Sequence, residues 1–210
     1  MKKYLVIFPT RWEIPSFFLL SPHTPYSLRV TRRGEVYMWR CGMGRRAVEE
    51  RIHQVLERFS PEEVILSGFC GALGDRMREG DFFLADKVCG EDEIIELNKE
   101  TLKEIEDTLR KMGLPFHRGT LLTRGRFTIS LKERENGISA VDMEGYWVGK
   151  ACQERRIPLT VVKIISDIVE RGGYPPGKIM KKFIRFLRKR KKHLDILGRL
   201  LERFFYTDAV

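Results

Sequence analysis

No stretch of this 210-residue sequence is apolar for the roughly 18–20 residues that a membrane-crossing helix requires. With 42% apolar and 32% charged residues, a soluble globular chain is expected. The four cysteines (Cys41, Cys70, Cys89, Cys152) show no CxxC or CxxH spacing. That excludes a zinc ribbon and a disulfide framework, and fits a reducing cytoplasm. The four histidines (His23, His53, His117, His193) likewise form no metal-ligand spacing. Behind Lys2-Lys3 the apolar run Tyr4–Phe8 is too short for a signal peptide, and no small-residue cleavage site follows. A first core strand is the expected reading. Internal repeats, low-complexity linkers and domain boundaries are missing too, so residues 1–210 read as one domain, large enough for a single well-packed core. Asn and Gln are confined to Asn98, Asn136, Gln54 and Gln153, while Lys, Arg and Glu abound, a usage seen in thermophile proteins.

What is abundant is positive charge, and it is unevenly placed. The net charge is +10, of which the segment from Arg171 to Val210 holds +9, leaving residues 1–170 nearly neutral at +1. In the C-terminal region, about 178–206, Ile179, Phe183, Phe186, Leu187, Leu194, Leu197, Leu201 and Phe204 recur at helical spacing. The run Arg188-Lys189-Arg190-Lys191-Lys192 interrupts that stripe. Three readings stand. The stripe packs on a sheet and its basic face is solvated, or the helix lies on an anionic membrane, or it contacts nucleic-acid phosphates. The stripe's need for burial favours the first. No nucleic-acid partner is expected, and membrane contact stays open.

Ahead of that region, strands alternate with helices. The pattern predicts strands at Tyr4–Phe8, Glu35–Arg40, Val64–Leu66, Phe82–Ala85, Gly119–Thr123, Ala140–Met143 and Leu159–Ile165. Helices are predicted over Arg45–Phe59, Asp92–Met112 and Tyr146–Arg155. Gly68-Phe69-Cys70-Gly71-Ala72-Leu73 reads as a flexible turn, and Ile168–Gly177 as a loop. The fold class is therefore α/β, a single three-layer domain with a central mixed β-sheet flanked by helices. One strand–helix–strand unit delivers two acids to one sheet edge: Glu144 where a strand opens into a helix, and Asp167 where the next strand ends. Open α/β sheets bind ligands outside the carboxyl ends of their strands, so these two acids lead the candidates for chemistry. Read singly, Asp167 could be a helix N-cap and Glu144 a first-turn glutamate favoured by the helix dipole.

Several motifs then occur in order. They are Gly42-Met43-Gly44, Gly68-Phe69-Cys70-Gly71-Ala72-Leu73 with Gly80-Asp81, Val141-Asp142-Met143-Glu144-Gly145, Ile157-Pro158, and Ile165-Ser166-Asp167. Together they resemble the purine nucleoside phosphorylase/nucleosidase superfamily, most closely its methylthioadenosine/S-adenosylhomocysteine nucleosidase branch. The resemblance implies that Asp167 protonates the leaving purine at N7, for which burial must raise a carboxyl from its ordinary pKa of about 3.9. It implies that Glu144 grips the ribose 2′- and 3′-hydroxyls over Met143. Glu13, in Thr10-Arg11-Trp12-Glu13, matches a glutamate that activates water. Phe127 falls where the family stacks a phenylalanine on the base, and Thr128, Ser166, Gly68, Phe69 and Cys70 complete the implied substrate-binding set. Cys70 itself reads as a small buried filler, with no histidine paired to it.

Departures from the pattern bear on specificity. Arg124 and Arg126 replace small and acidic residues before Phe127, and Lys163 stands where an arginine is common. The implied activity is hydrolysis of an adenosine-type N-glycosidic bond, with no metal or organic cofactor and, by resemblance, a homodimer. Phosphorolysis is the alternative. Glu13 would repel a phosphate, and Phe69 replaces the serine that phosphorylases offer to it. Arg11, Arg45 and Arg46 keep phosphate in play, since arginine is a ready ligand for it. A catalytically inactive scaffold with a basic nucleic-acid- or membrane-binding tail is the second alternative.

Overall fold

A computed structural model of the chain describes residues 1–18, 25–73, 76–90, 93–125, 137–169 and 176–206, with the side chains of 17 and 176–187 left aside. Ten strands form one sheet in the order β2-β3-β1-β4-β10-β5-β9-β8-β6-β7. They are β1 (Lys3–Phe8), β2 (Tyr26–Val30), β3 (Glu35–Arg40), β4 (Glu63–Leu66), β5 (Phe69–Ala72), β6 (Phe82–Gly90), β7 (Glu93–Glu96), β8 (Phe116–Thr123), β9 (Ile138–Asp142) and β10 (Leu159–Ile168). The helices are α1 (Gly44–Glu49), α2 (Ile52–Phe59), α3 (Lys99–Lys111), α4 (Gly145–Glu154) and α5 (Pro176–Tyr206). Parallel and antiparallel pairings coexist, so the sheet is mixed, as expected.

Strand β10 organises the whole. Its first residues, Leu159–Val161, pair parallel with β4. Val162–Ile164 pair antiparallel with β6, and Ile164–Ile168 pair parallel with β5 through an irregularity between Ile165 and Asp167. Strands β10, β5, β9, β8 and β6 thereby close on themselves, while β4, β1, β3 and β2 continue as an open sheet. Both faces are covered. Leu5, Ile7, Val64, Leu66, Val161 and Ile165 pack under α1, α2 and α4. Tyr4, Val6, Phe8, Ile65, Val162 and Ile164 pack under α3 and α5. Strands buried on two sides need apolar residues at every position, and for this reason β1 and β4 read as unbroken apolar runs rather than alternating ones.

Several expectations are corrected. Phe69–Ala72 is strand β5, not a turn. Gly71 suits it because a Cβ there would meet Val169 Cγ2 at 3.2 Å and Val141 Cγ2 at 3.4 Å. The glycine serves close packing rather than flexibility. The single helix expected over Asp92–Met112 is strand β7 followed by α3. Ile94 is exposed and Ile95 buried, a strand alternation, and the Asn98 side chain caps α3 by accepting from Glu100 N at 3.1 Å. Arg45–Phe59 is two helices, broken at Glu50 and Arg51. Their buried positions Val48, Ile52, Leu56 and Phe59 keep helical spacing across the break, so periodicity does not reveal it. Strand β2, an edge strand antiparallel to β3, went unread. Strands β6 and β10 run longer than expected.

The C-terminal region forms one helix, α5, unbroken by its basic run, since Lys and Arg are good helix formers. Leu197, Leu200, Leu201, Phe204 and Phe205 are buried against the sheet, while Arg188, Lys189, Lys191 and Lys192 are exposed. The Phe205 ring lies 5.3 Å from that of Tyr4, and the Arg33 guanidinium caps the Phe204 ring at 4.2 Å. Over 188–206 the apolar stripe is packed on the sheet and most of the basic residues lie at the surface. Among the described residues no helix is long and apolar enough to cross a membrane. Phe205→Ala is expected to lower unfolding free energy by about 3–5 kcal/mol in urea titration, the cost of emptying a packed aromatic site. Lys191→Ala should leave the midpoint unmoved.

Candidate active site

Strand β1 lies between β3 on one side and β4 on the other, so the chain order reverses beside it. Ligand sites in α/β sheets form at such reversals, outside the strands' carboxyl ends. Glu13 stands in a three-residue 3-10 turn, Arg11–Glu13, just beyond β1. Its Oε2 accepts from Thr10 N at 2.8 Å and its Oε1 from Phe69 N at 3.1 Å. Gly68 is what lets the two loops approach. It holds φ +124, and a Cβ there would come within 2.9 Å of Glu13 Oε1. Part of Glu13 remains at the surface, but its carboxyl points inward. Burial raises the pKa of that carboxyl, against the pull of Lys163 and of its two amide donors.

Glu144 immediately precedes α4, yet its side chain does not cap the helix. Asp142 caps it instead. The Asp142 Oδ2 accepts from Gly145 N at 3.0 Å, and its Oδ1 accepts from Thr123 Oγ1 at 2.8 Å. Released from capping, the Glu144 carboxyl reaches 100 positions back in sequence to accept from Gly44 N at 2.8 Å. Gly44 adopts φ +77, a left-handed backbone that aims its amide at the carboxyl, with Met143 Cε packed alongside. The helix-dipole reading of Glu144 therefore does not account for its geometry. Burial, reinforced by the charges of Asp142 and Glu13, pushes the Glu144 carboxyl up to about 8, against Lys163 and the Gly44 amide.

Between these acids lies Lys163, wholly buried in β10. Its Nζ is 3.1 Å from Asp142 Oδ2. Among the described residues no acceptor lies in line with its N–H groups. Burial alone would lower its pKa, but the charges of Asp142, Glu144 and Glu13 outweigh that and raise it, so the ammonium stays charged. Sequence reasoning noted Lys163 only as a departure from a common arginine. A stronger signal was present: a lysine inside the run Val161-Val162-Lys163-Ile164-Ile165 is a charge on a buried strand, which is rare without a partner.

Asp167 is half-buried near the end of β10, so the helix N-cap reading fails. Ser166 Oγ lies 2.7 Å from Asp167 Oδ1 and 3.1 Å from Cys70 O, and its one proton serves one of them at a time. Cys70 is buried, and burial lifts its thiol far above the ordinary range, consistent with a filler. The charges of Asp142, Asp167 and Lys163 all act on that thiol. Phe69 contributes its amide to Glu13, while its ring packs with the α3/α5 core and near His193.

Two of the three phosphate candidates are engaged locally. Arg45 pairs with Glu49 at 3.0 Å and lies over the Trp147 ring at 4.3 Å, and Arg46 pairs with Glu50 at 2.7 Å. Arg11 is exposed beside Glu13. Arg124 is exposed past the end of β8, its amide donating to Asp142 O at 2.9 Å. Phe127, Thr128, Arg126 and His23 lie outside the described residues. Among the described residues no group of three or more His, Cys, Asp or Glu side chains is arranged to hold a metal ion.

The electrostatics of Glu144 make a stability prediction. Its folded value near 8 lies above the ordinary 4.5. Stabilisation through the protonated form is then complete below about pH 4 and is lost as pH rises through about 8. Thermal midpoints measured from about pH 5 to about pH 9 should fall across this window. In Glu144→Gln, which keeps the Gly44 acceptor but cannot ionise, the fall should flatten. An equally steep fall in that variant would assign the effect elsewhere.

Comparison with known proteins accords with this fold. Residues 22–202 match the Phosphorylase superfamily. A curated relative, a 5′-methylthioadenosine/S-adenosylhomocysteine nucleosidase of Staphylococcus aureus, is 20% identical over 190 residues, covering 80% of this chain and 81% of its own. Among solved structures, a nucleosidase of the same description from Helicobacter pylori superposes with a TM-score of 0.80 at 17% identity, covering 97% of each chain. A futalosine hydrolase from Helicobacter pylori gives 0.79 at 18% identity, again over 97% of each. With the sequence match spanning most of its length and the fold in agreement, this chain belongs to the phosphorylase superfamily.

Proposed function

We propose that this protein is a purine nucleosidase that hydrolyses an adenosine-type N-glycosidic bond. The observation that carries the reading is the Glu13 carboxylate on the Phe69 amide. A phosphorolytic enzyme needs the donors of its glycine-rich loop for phosphate. Here one of those donors already serves the protein's own anion, and a second anion beside it would be repelled. Arg45 and Arg46, two of the three cations that would offset such repulsion, are paired with Glu49 and Glu50. Water, being neutral, meets no such barrier, and a carboxylate is the group suited to take its proton.

The chemistry follows from the three acids. The C1′–N9 bond breaks with its electrons moving into the purine, and Asp167 donates a proton to N7 so that the base leaves neutral. The ribose becomes oxocarbenium-like, and Glu144 holds its 2′- and 3′-hydroxyls, an attraction that strengthens as positive charge develops. Water attacks C1′ and Glu13 takes its proton. Free base and reducing sugar result, and solvent exchange resets Asp167 and Glu13. Lys163 keeps the neighbouring carboxyls from repelling one another in the buried space. Methylthioadenosine and S-adenosylhomocysteine are the proposed substrates, supported by the curated relatives.

A nucleoside panel containing methylthioadenosine, S-adenosylhomocysteine and futalosine, assayed with and without phosphate, tests the assignment. The expected products are free base and free sugar at a rate indifferent to phosphate. Ribose 1-phosphate formed only when phosphate is supplied would make the protein a phosphorylase. Asp167→Asn should lower kcat by roughly 10²–10⁴-fold, the usual contribution of a positioned acid. Undiminished turnover in that variant would remove Asp167 from the mechanism.

A further inference from the structure

One turn of helix α5 meets the Glu13 arm at Trp12 and the glycine-rich loop at Phe69. The guanidinium of Arg190 lies 4.6 Å from the centroid of the Trp12 ring. Trp12 is 59% exposed and immediately precedes Glu13. Three residues on, the buried ring of His193 lies 6.5 Å from that of Phe69, the residue whose amide donates to Glu13. Residues three apart share a helix face, so one turn of α5 touches the residue before Glu13 and a residue whose amide donates to it. The same turn is pinned laterally: Lys189 Nζ pairs with Glu79 Oε2 at 2.9 Å, and His193 packs against Gly80, where a Cβ would meet its Nε2 at 3.2 Å. Immediately beyond, Leu194, Leu197 and Leu201 are buried, so the turn is held by the core.

The Glu13 arm requires such support. A three-residue 3-10 turn has poor hydrogen-bond geometry, and this one is closed locally by Glu13 N to Thr10 O at 3.1 Å and by a capping box between Thr10 and Glu13. Its tryptophan leaves most of its surface in solvent.

We propose that Arg190 and His193 are positioning residues, which hold the Glu13 carboxyl in register by bracing Trp12 and Phe69 from helix α5. The proposal rests on Glu13 as the water activator. The guanidinium holds Trp12 by a cation–π contact, and the imidazole holds the Phe69 side of the glycine-rich loop by ring packing. The basic run thereby includes one residue, Arg190, that faces the site instead of serving only as a solvated charge.

Two measurements on the full chain test this. In the first, amide hydrogen exchange is followed at Thr10 and Phe69, the donors to Glu13. Arg190→Ala and His193→Ala should speed exchange at both amides by about tenfold or more while β8 stays unchanged, as local opening requires. His193→Phe keeps a ring and should leave exchange as in the parent. In the second, the two alanine variants should lower kcat roughly tenfold with KM within about twofold, since displaced catalytic groups cost rate more than binding. His193→Phe should restore kcat, and adding Arg190→Ala to Trp12→Ala should cost nothing further. Unchanged exchange at Thr10 and Phe69 overturns the brace, whatever the turnover. Altered exchange with parental kcat in an active enzyme overturns it as well. If the parent protein cleaves no nucleoside, the functional reading fails instead, and exchange alone still decides whether α5 braces the arm.

Discussion

A single buried ammonium, Lys163, is the constraint around which the site is built. Three carboxyls, those of Asp142, Glu144 and Glu13, interact with it by charge, and all are withdrawn from water. Without a cation, like charges in such a space would repel, and proton uptake would neutralise them. With one, Asp142 sits 3.1 Å from the ammonium, and the cation opposes the burial that raises the pKa values of Glu144 and Glu13. Burial thus lifts the Glu144 carboxyl to about 8 and raises that of Glu13 as well.

That constraint accounts for several local choices. Lys163 lies in the buried part of β10, residues 159–165, the strand shared by the open sheet and by the closed set of strands. Asp142 both caps α4 and neutralises Lys163, so the start of that helix and the charge cluster are one structure. Glu144, spared from capping, extends to Gly44 beyond β3. Glu13 extends the other way, to Phe69 beyond β4. Each acid is held by a backbone amide from a distant loop, and each of those loops turns at a glycine with positive φ.

Much of this was legible beforehand. The strands whose two faces are covered, β1, β3 and β4, announce themselves as apolar runs, and their boundaries were read to within a residue. The acids at strand ends, Glu144 and Asp167, were readable from the strand–helix–strand pattern, and Glu13 from resemblance. Where reading failed, a tertiary neighbour outweighed local preference. Gly71 looked like a turn residue because nothing in the sequence says that Val141 and Val169 crowd it. Glu93–Glu96 looked helical because its charges suit a helix surface, and pairing with β6 decided otherwise. The break between α1 and α2 was hidden by a stripe that continues across it.

The sequence by itself determined the α/β class, the burial of the central strands and the kinds of side chain available for chemistry. Those depend on composition and on spacing along one segment, which local physics reads directly. Only the tertiary structure decided which groups share a charge and which amides hold them. Glu144 meets Gly44 across 100 positions, Glu13 meets Phe69 across 56, and Lys163 answers to acids from two distant segments. Coulomb interactions and hydrogen bonds act over distance in space, and separation in sequence does not encode that distance.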